Sequence, residues 1–188
     1  MVEKKTRSDA VRNRAKLLEV AFETFAGEGL QVPVDEIARR AGVGAGTVYR
    51  HFPTKEALYA AIVTDQFHKL INEGEALVDA PDPGAAFFGY FTGFIRQVAA
   101  HSGMLEAFAG LGYDIEAAAP EAECQFKRVL GRLLERAQEA GAVRADVVML
   151  DVKAVLMGGQ AAVAHRGPEE AERVIQVLCA GLRPVTLR

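Results

Sequence analysis

Apolar residues recur at helical spacing along almost the whole chain, and glycine or proline interrupts that spacing at a few points. This pattern limits the fold more than any other feature. Val11, Leu18, Ala21, Phe22 and Phe25 lie on one helical stripe, with Ser8 placed to cap it and Asp9 in its first turn. GEGL, residues 27–30, stops that helix. Pro33 opens a short second one, VDEIARRA. Phe52-Pro53-Thr54 breaks the chain again, and a long helix follows from Lys55 toward Asp79, ended by PDPG at 81–84. Further segments run through 85–100, from Met104 to Ala109, from Pro120 to Ala140, from Val147 to about His165, and from Pro168 to about Leu182. GLGYD at 110–114 reads as a loop, Gly141 as a stop, and Gly167-Pro168 as a separator. Alternating strand patterns bounded by hairpin turns are absent. The expected fold is all-α, with about nine helices.

Composition agrees with a globular chain. Half of the 188 residues are hydrophobic and 25% are charged, enough for a sizeable core. No apolar run reaches the length of a membrane span, and the polar start MVEKKTRSDAVRNR has no signal-peptide core, so a soluble cytoplasmic protein is expected. Cys124 and Cys179 form no CxxC pair and read as free thiols, more readily structural than redox-sensing. The charge is uneven. Residues 1–55 hold 10 Lys/Arg against 7 Asp/Glu, and residues 56–188 hold 12 against 18. A basic first third on an acidic body fits contact with a polyanion through the first part alone, or a solvated terminal face.

Residues 34–52, VDEIARRAGVGAGTVYRHF, carry a more specific message. Ile37, Ala38 and Ala41 share one face of a short helix, Gly42 suits a left-handed turn, and Val48 anchors a second short helix. Ala45 and Gly46 leave the start of that helix nearly bare, so backbone N–H groups can approach a phosphate or a base edge. Thr47, Tyr49, Arg50 and His51 supply donors just beyond it. Such a helix-turn-helix fits the major groove of B-DNA.

The block VDEIARRAGVGAGTVYRHFPTKEALY, residues 34–59, resembles the DNA-binding signature of the tetracycline-repressor-like (TetR) regulators. The matching positions are Ile37-Ala38, Ala41-Gly42-Val43, Gly46-Thr47-Val48-Tyr49, His51-Phe52 and Lys55-Glu56-Ala57-Leu58, and the resemblance covers about residues 8–60. It implies a DNA-binding domain over residues 1–54 and a helical ligand-binding and dimerisation domain over 55–188. It further implies a homodimer, joined through the last two helices, on a pseudo-palindromic operator of double-stranded DNA, released by a small apolar effector. Carried over position by position, Thr47, Tyr49, His51 and Lys55 meet phosphates, and Arg50 with Thr47 reads base edges. The basic arm, Arg7 and Arg12 included, reaches flanking phosphates or the minor groove. Val34 departs from the Thr or Ser that often opens the first of the two helices in this family, leaving only its backbone N–H for a phosphate.

The later segments are less specific. Phe87, Phe91, Phe94, Met104, Phe108, Phe126 and Met157 either fill a core or line an apolar ligand cavity, with His101, Gln160, Tyr113 and Arg96 as polar groups to orient a ligand. The four histidines show no metal-binding spacing, and no nucleophile elbow, P-loop or dinucleotide fingerprint occurs. No enzyme activity, cofactor or metal is called for. Three readings stay open: a ligand-responsive repressor; a DNA-binding regulator without a small-molecule effector, or an activator; and a helical enzyme or carrier with an incidental helix-turn-helix corner.

Overall fold

The computed structural model describes residues 2–102, 104, 112, 115–164 and 166–184, with side chains described from residue 12 onward except at 115, 116 and 168. Among these residues the regular elements are all helices: α1 (Val2–Glu28), α2 (Val34–Ala41), α3 (Ala45–His51), α4 (Lys55–Val78), α5 (Pro83–Ala100), α6 (Ile115–Ala118), α7 (Pro120–Glu139), α8 (Met149–Val163) and α9 (Pro168–Leu182). The expected helix from Met104 to Ala109 and the GLGYD loop lie outside the described residues, apart from Met104 and Gly112. No helix among the described residues is long and apolar enough to cross a membrane.

The chain forms two compact units, Met1–Gln66 with Gly103–Pro120, and Phe67–Ser102 with Glu121–Arg188. The first part of α4 belongs to one and the remainder to the other.

In the first unit α1 packs on α2, and α2 on α3. Leu18, Ala21 and Phe25 of α1, Ile37 and Ala38 of α2, Val48 of α3, and Leu58, Tyr59 and Ile62 of α4 are all buried. α1 starts at Val2, so Ser8 lies inside the helix and does not cap it. The reason is local: no glycine or proline interrupts residues 2–26, and lysine, glutamate and arginine are good helix formers. Thr54 does cap α4, its hydroxyl accepting from the Ala57 N–H at 3.2 Å.

In the second unit α5 packs on α8 and α9, which also pack on each other. Phe87, Phe91, Ile95, Leu130, Leu133, Val152 and Ile175 form the centre of its core. The Asp82 carboxylate caps α5 by accepting from the Ala85 N–H at 2.8 Å. Asp151 accepts from the Val148 N–H at 3.0 Å, which sets the start of α8 at Met149, two residues beyond the expected one. A close approach joins α4 to α5 and α7. A Cβ on Gly74 would lie 2.4 Å from Val129 Cγ1 and 3.1 Å from Tyr90 Cζ. Tyr90 uses this notch to donate its hydroxyl to the Leu70 carbonyl at 2.9 Å. Cys179 is half-buried and burial pushes its thiol up, whereas Cys124 is exposed on α7.

Candidate nucleic-acid interface

The α2–α3 corner is built by its backbone. Gly42 adopts φ 72°, ψ 30°, the left-handed region open to glycine. Its N–H donates to the Arg39 carbonyl at 3.2 Å, and the next N–H, of Val43, reaches the Ala38 carbonyl at 3.0 Å. This Schellman closure satisfies the carbonyls at the end of α2 and turns the chain sharply. Gly44 then caps α3 in extended conformation, its carbonyl accepting from Thr47 N–H at 2.8 Å and Val48 N–H at 3.2 Å.

Within α3 only Val48 is buried. At 100° per residue, the direction opposite Val48 falls between Gly46 and Arg50, with Thr47 and Tyr49 on the flanks. Gly46, Thr47, Tyr49, Arg50 and His51 are all exposed, and Ala45 is half-buried. The outward face of α3 therefore combines a helix start free of bulk with an arginine at its centre and hydroxyl donors beside it. The negative charge of Asp35, at the start of α2, pushes the Tyr49 phenol above its usual range. Asp35 had no signal in the sequence, since it is 14 positions from Tyr49 and only the helix-turn-helix angle brings the two together.

The charges of α2 are used internally. Glu36 accepts from Arg39 through two nitrogens at 2.7 Å and from Arg40 Nε at 2.8 Å. Arg40 also pairs with Glu28, the last residue of α1, its Nη2 donating at 3.0 Å. These hydrogen bonds, from Arg39 first and then Arg40, hold the Glu36 carboxyl down at about 2. The other basic residues of this unit lie mainly on α1 and α3. Arg12 is exposed, and Arg14 lays its guanidinium 5.6 Å from the centre of the Phe52 ring. The backbone of Arg7 is in α1, and its side chain lies outside the described residues.

Lys55 is directed elsewhere. Its half-buried ammonium donates to the carbonyls of Leu30 and Val32, the latter at 3.3 Å, and sits 5.5 Å from the centre of the Phe25 ring.

The candidate ligand residues separate into groups. Phe87 and Phe91 stack at 5.8 Å and are fully buried in the second unit. Phe94 is half-buried and stacks on Phe126 at 5.1 Å, with Phe67 against Phe126 at 5.8 Å. His101 is half-buried, its Nδ1 2.7 Å from the Gln97 carbonyl oxygen. Gln160 is half-buried on α8, and Arg96 donates to Glu172 at 2.8 Å on the surface. Met104 is buried in the first unit, and Met157 is exposed on α8 at 55%. Phe108 and Tyr113 lie outside the described residues. Among the described residues, no group of His, Cys, Asp or Glu is arranged to hold a metal ion.

Known proteins carry the same architecture. Residues 17–62 match the family of bacterial regulatory proteins described as the tetR family, and residues 82–184 match that of the SbtR-like transcriptional regulator C-terminal domain. A TetR transcription regulatory protein from Mycobacterium vanbaalenii is 49% identical, with TM-score 0.78, over 95% of this chain and 99% of that one. A TetR transcriptional regulator from Streptomyces coelicolor is 32% identical, with TM-score 0.74, over 92% and 99%. An HTH-type transcriptional regulator of Staphylococcus aureus is 32% identical over 74 residues, 39% of this chain and 40% of that protein. The chain spans between 32% and 51% of the length of the first curated relatives it matches. These relatives are transcriptional regulators and not enzymes. With a helix-turn-helix head of this geometry and both parts of the chain matched, this protein belongs to the TetR family of transcriptional regulators.

Proposed function

We propose that this regulator is a homodimeric, ligand-responsive repressor acting in the cytoplasm on a pseudo-palindromic operator. Residues 1–54 read the DNA, and residues 55–188 hold the partner and a small apolar effector. The observation that carries this reading is the outward face of α3, where Arg50 and Gly46 stand opposite the buried Val48. Arg50 reads a guanine edge, with Thr47 beside it, and Thr47, Tyr49 and His51 meet phosphates. Arg7 and Arg12 on α1 reach flanking backbone.

Support for the homodimer comes from α8 and α9. Leu150, Met157 and Val177 are exposed at 75%, 55% and 66%. Leu150, Ala154, Met157, Gly158 and Ala161 recur at helical spacing along the exposed side of α8. Val177, Ala180 and Gly181 do so on α9. Large apolar groups next to small ones suit close packing against the same two helices of a second copy. Support for an effector comes from the half-buried rings of Phe67 and Phe94 against the buried Phe126, an aromatic surface less closed than the fully buried Phe87–Phe91 stack. That closed stack favours the second reading, a regulator with no small-molecule effector.

Selection of bound sequences from random duplex DNA tests the main reading. Enrichment of a two-fold-symmetric motif supports it, and weak, unselective binding refutes it. Arg50→Ala then costs about 1–3 kcal/mol at one base position of that motif. Equal losses on selected and random duplex would remove its reading role. Release of the selected duplex by a panel of small aromatic compounds decides between the effector and effector-free readings.

A further inference from the structure

Lys55 opens α4, yet its side chain turns back across the connection between α1 and α2. That connection, residues 29–33, has carbonyls that no helix satisfies. Two of them, on Leu30 and Val32, accept from the ammonium, and the Phe25 ring covers another side of it. A lysine ammonium has three donors and is strongly hydrated, so half-burying it is tolerated only where such partners replace water. Phe25 is fully buried and Leu30 is 6% exposed, so the ammonium rests on well-packed groups and not on a loose loop. From the other side, Arg40 of α2 grips Glu28 at the end of α1.

These contacts close a ring. α4 holds the 29–33 connection through Lys55, the connection leads into α2, α2 carries α3 through the Gly42 turn, and Phe52-Pro53-Thr54 returns to α4. α3 has seven residues and one buried side chain, so it has little packing of its own to fix its direction. Its orientation is inherited from this ring.

We propose that Lys55 is a positioning residue for DNA reading, which locks the 29–33 connection to the first turn of α4 and so sets the angle of α2 and α3. This goes beyond the phosphate contact that the family resemblance implies, because two of its three N–H donors are already engaged within the protein. Its DNA-binding consequence rests on the α3 reading above.

The test uses the full chain with Lys55→Met, which keeps a long unbranched side chain without the charge, and Lys55→Arg, which keeps donors for the same carbonyls. Amide hydrogen exchange, measured without DNA, follows Gly29, Glu36 and Ile37, whose N–H groups bond to Phe25 and Pro33 carbonyls. Exchange about tenfold faster there in Lys55→Met, on the scale of losing one charge-assisted hydrogen bond, with the second unit unchanged and Lys55→Arg near wild type, is the expected result. Unchanged exchange overturns the proposal. Binding of the selected duplex and of random duplex is then measured across a salt series. The expected result for Lys55→Met is about tenfold weaker binding to the selected duplex, a smaller loss on random duplex, and an unchanged slope of log K against log salt. A slope flattened by about 0.9, with equal losses on both duplexes, assigns Lys55 to a phosphate and overturns the proposal. Undiminished binding by the folded variant confines Lys55 to stability and also overturns it. If wild-type protein enriches no duplex, the DNA-binding reading fails, while the exchange result still decides the clamp.

Discussion

Replacing Gly42 by alanine isolates the backbone chemistry of the corner. At φ 72° an L-residue strains against its own carbonyl, yet a Cβ built there meets nothing within 4 Å. The change therefore carries a conformational cost and no packing cost. That cost is about 1–2 kcal/mol for a non-glycine residue in the left-handed region. Lower entropy of the unfolded chain offsets about 0.4–1 kcal/mol of it, so a net loss of about 1 kcal/mol is expected. Gly46, four positions on, is the internal control. It also has nothing within 4 Å of a built Cβ, but its φ is not positive and it lies in the first turn of α3. Gly46→Ala should therefore stabilise by about 0.5–1 kcal/mol. Urea unfolding followed by far-UV circular dichroism reads both, at matched protein concentration because association contributes to stability. With a slope of about 1–3 kcal/mol per molar urea, the two midpoints move in opposite directions by roughly 0.2–1 M. A neutral or stabilising Gly42→Ala would refute the argument that the corner needs a left-handed residue. The same pair separates folding from function. Gly46→Ala places a methyl group on the outward face of α3 and should weaken DNA binding while raising stability.

Three further outcomes follow from particular contacts. Gly74→Ala forces a Cβ to within 2.4 Å of Val129 Cγ1 and 3.1 Å of Tyr90 Cζ, and overpacking there costs about 1–3 kcal/mol; calorimetry should show a melting temperature lower by roughly 2–4 °C per kcal/mol, and an unchanged one would deny the close approach. Glu36, with its carboxyl held down at about 2, contributes stability that is complete above its ordinary 4.5 and is lost as pH falls from there toward about 2. Glu36→Gln should flatten the acid limb of a stability–pH curve in that window, and high salt should shrink the difference because the pair is exposed. Met157→Asp puts a charge on the exposed side of α8 and should shift the protein from dimer to monomer in sedimentation velocity, whereas an unchanged dimer would move the interface away from α8.

The helix-turn-helix was legible in the sequence because its determinants are local. Gly42 has to adopt positive φ wherever the turn lies, Val48 is the one apolar residue in the middle of α3, and Thr54 caps whatever helix begins next to it. The all-α fold and most helix ends could be read for the same reason, since caps and breakers act within a few residues. Where local signals were misleading, a stronger local one usually explains the difference: unbroken helix formers carried α1 past Ser8 to Val2, and Asp151 set the start of α8.

The destinations of side chains were decided by tertiary structure. Seven apolar residues at similar helical spacing could not be sorted by sequence. Packing buries Phe87 and Phe91 completely, stacks the half-buried Phe94 on Phe126, and leaves Met157 exposed. The sequence likewise supplied a lysine at position 55 but not the carbonyls it meets, which lie 23 and 25 residues earlier. Periodicity and capping are properties of a few consecutive residues, and so the chain carries them wherever it goes. Burial and ion pairing depend on which distant surfaces meet, and only the folded packing of α1, α2 and α4 brings Phe25, Leu30, Val32 and Lys55 to one point.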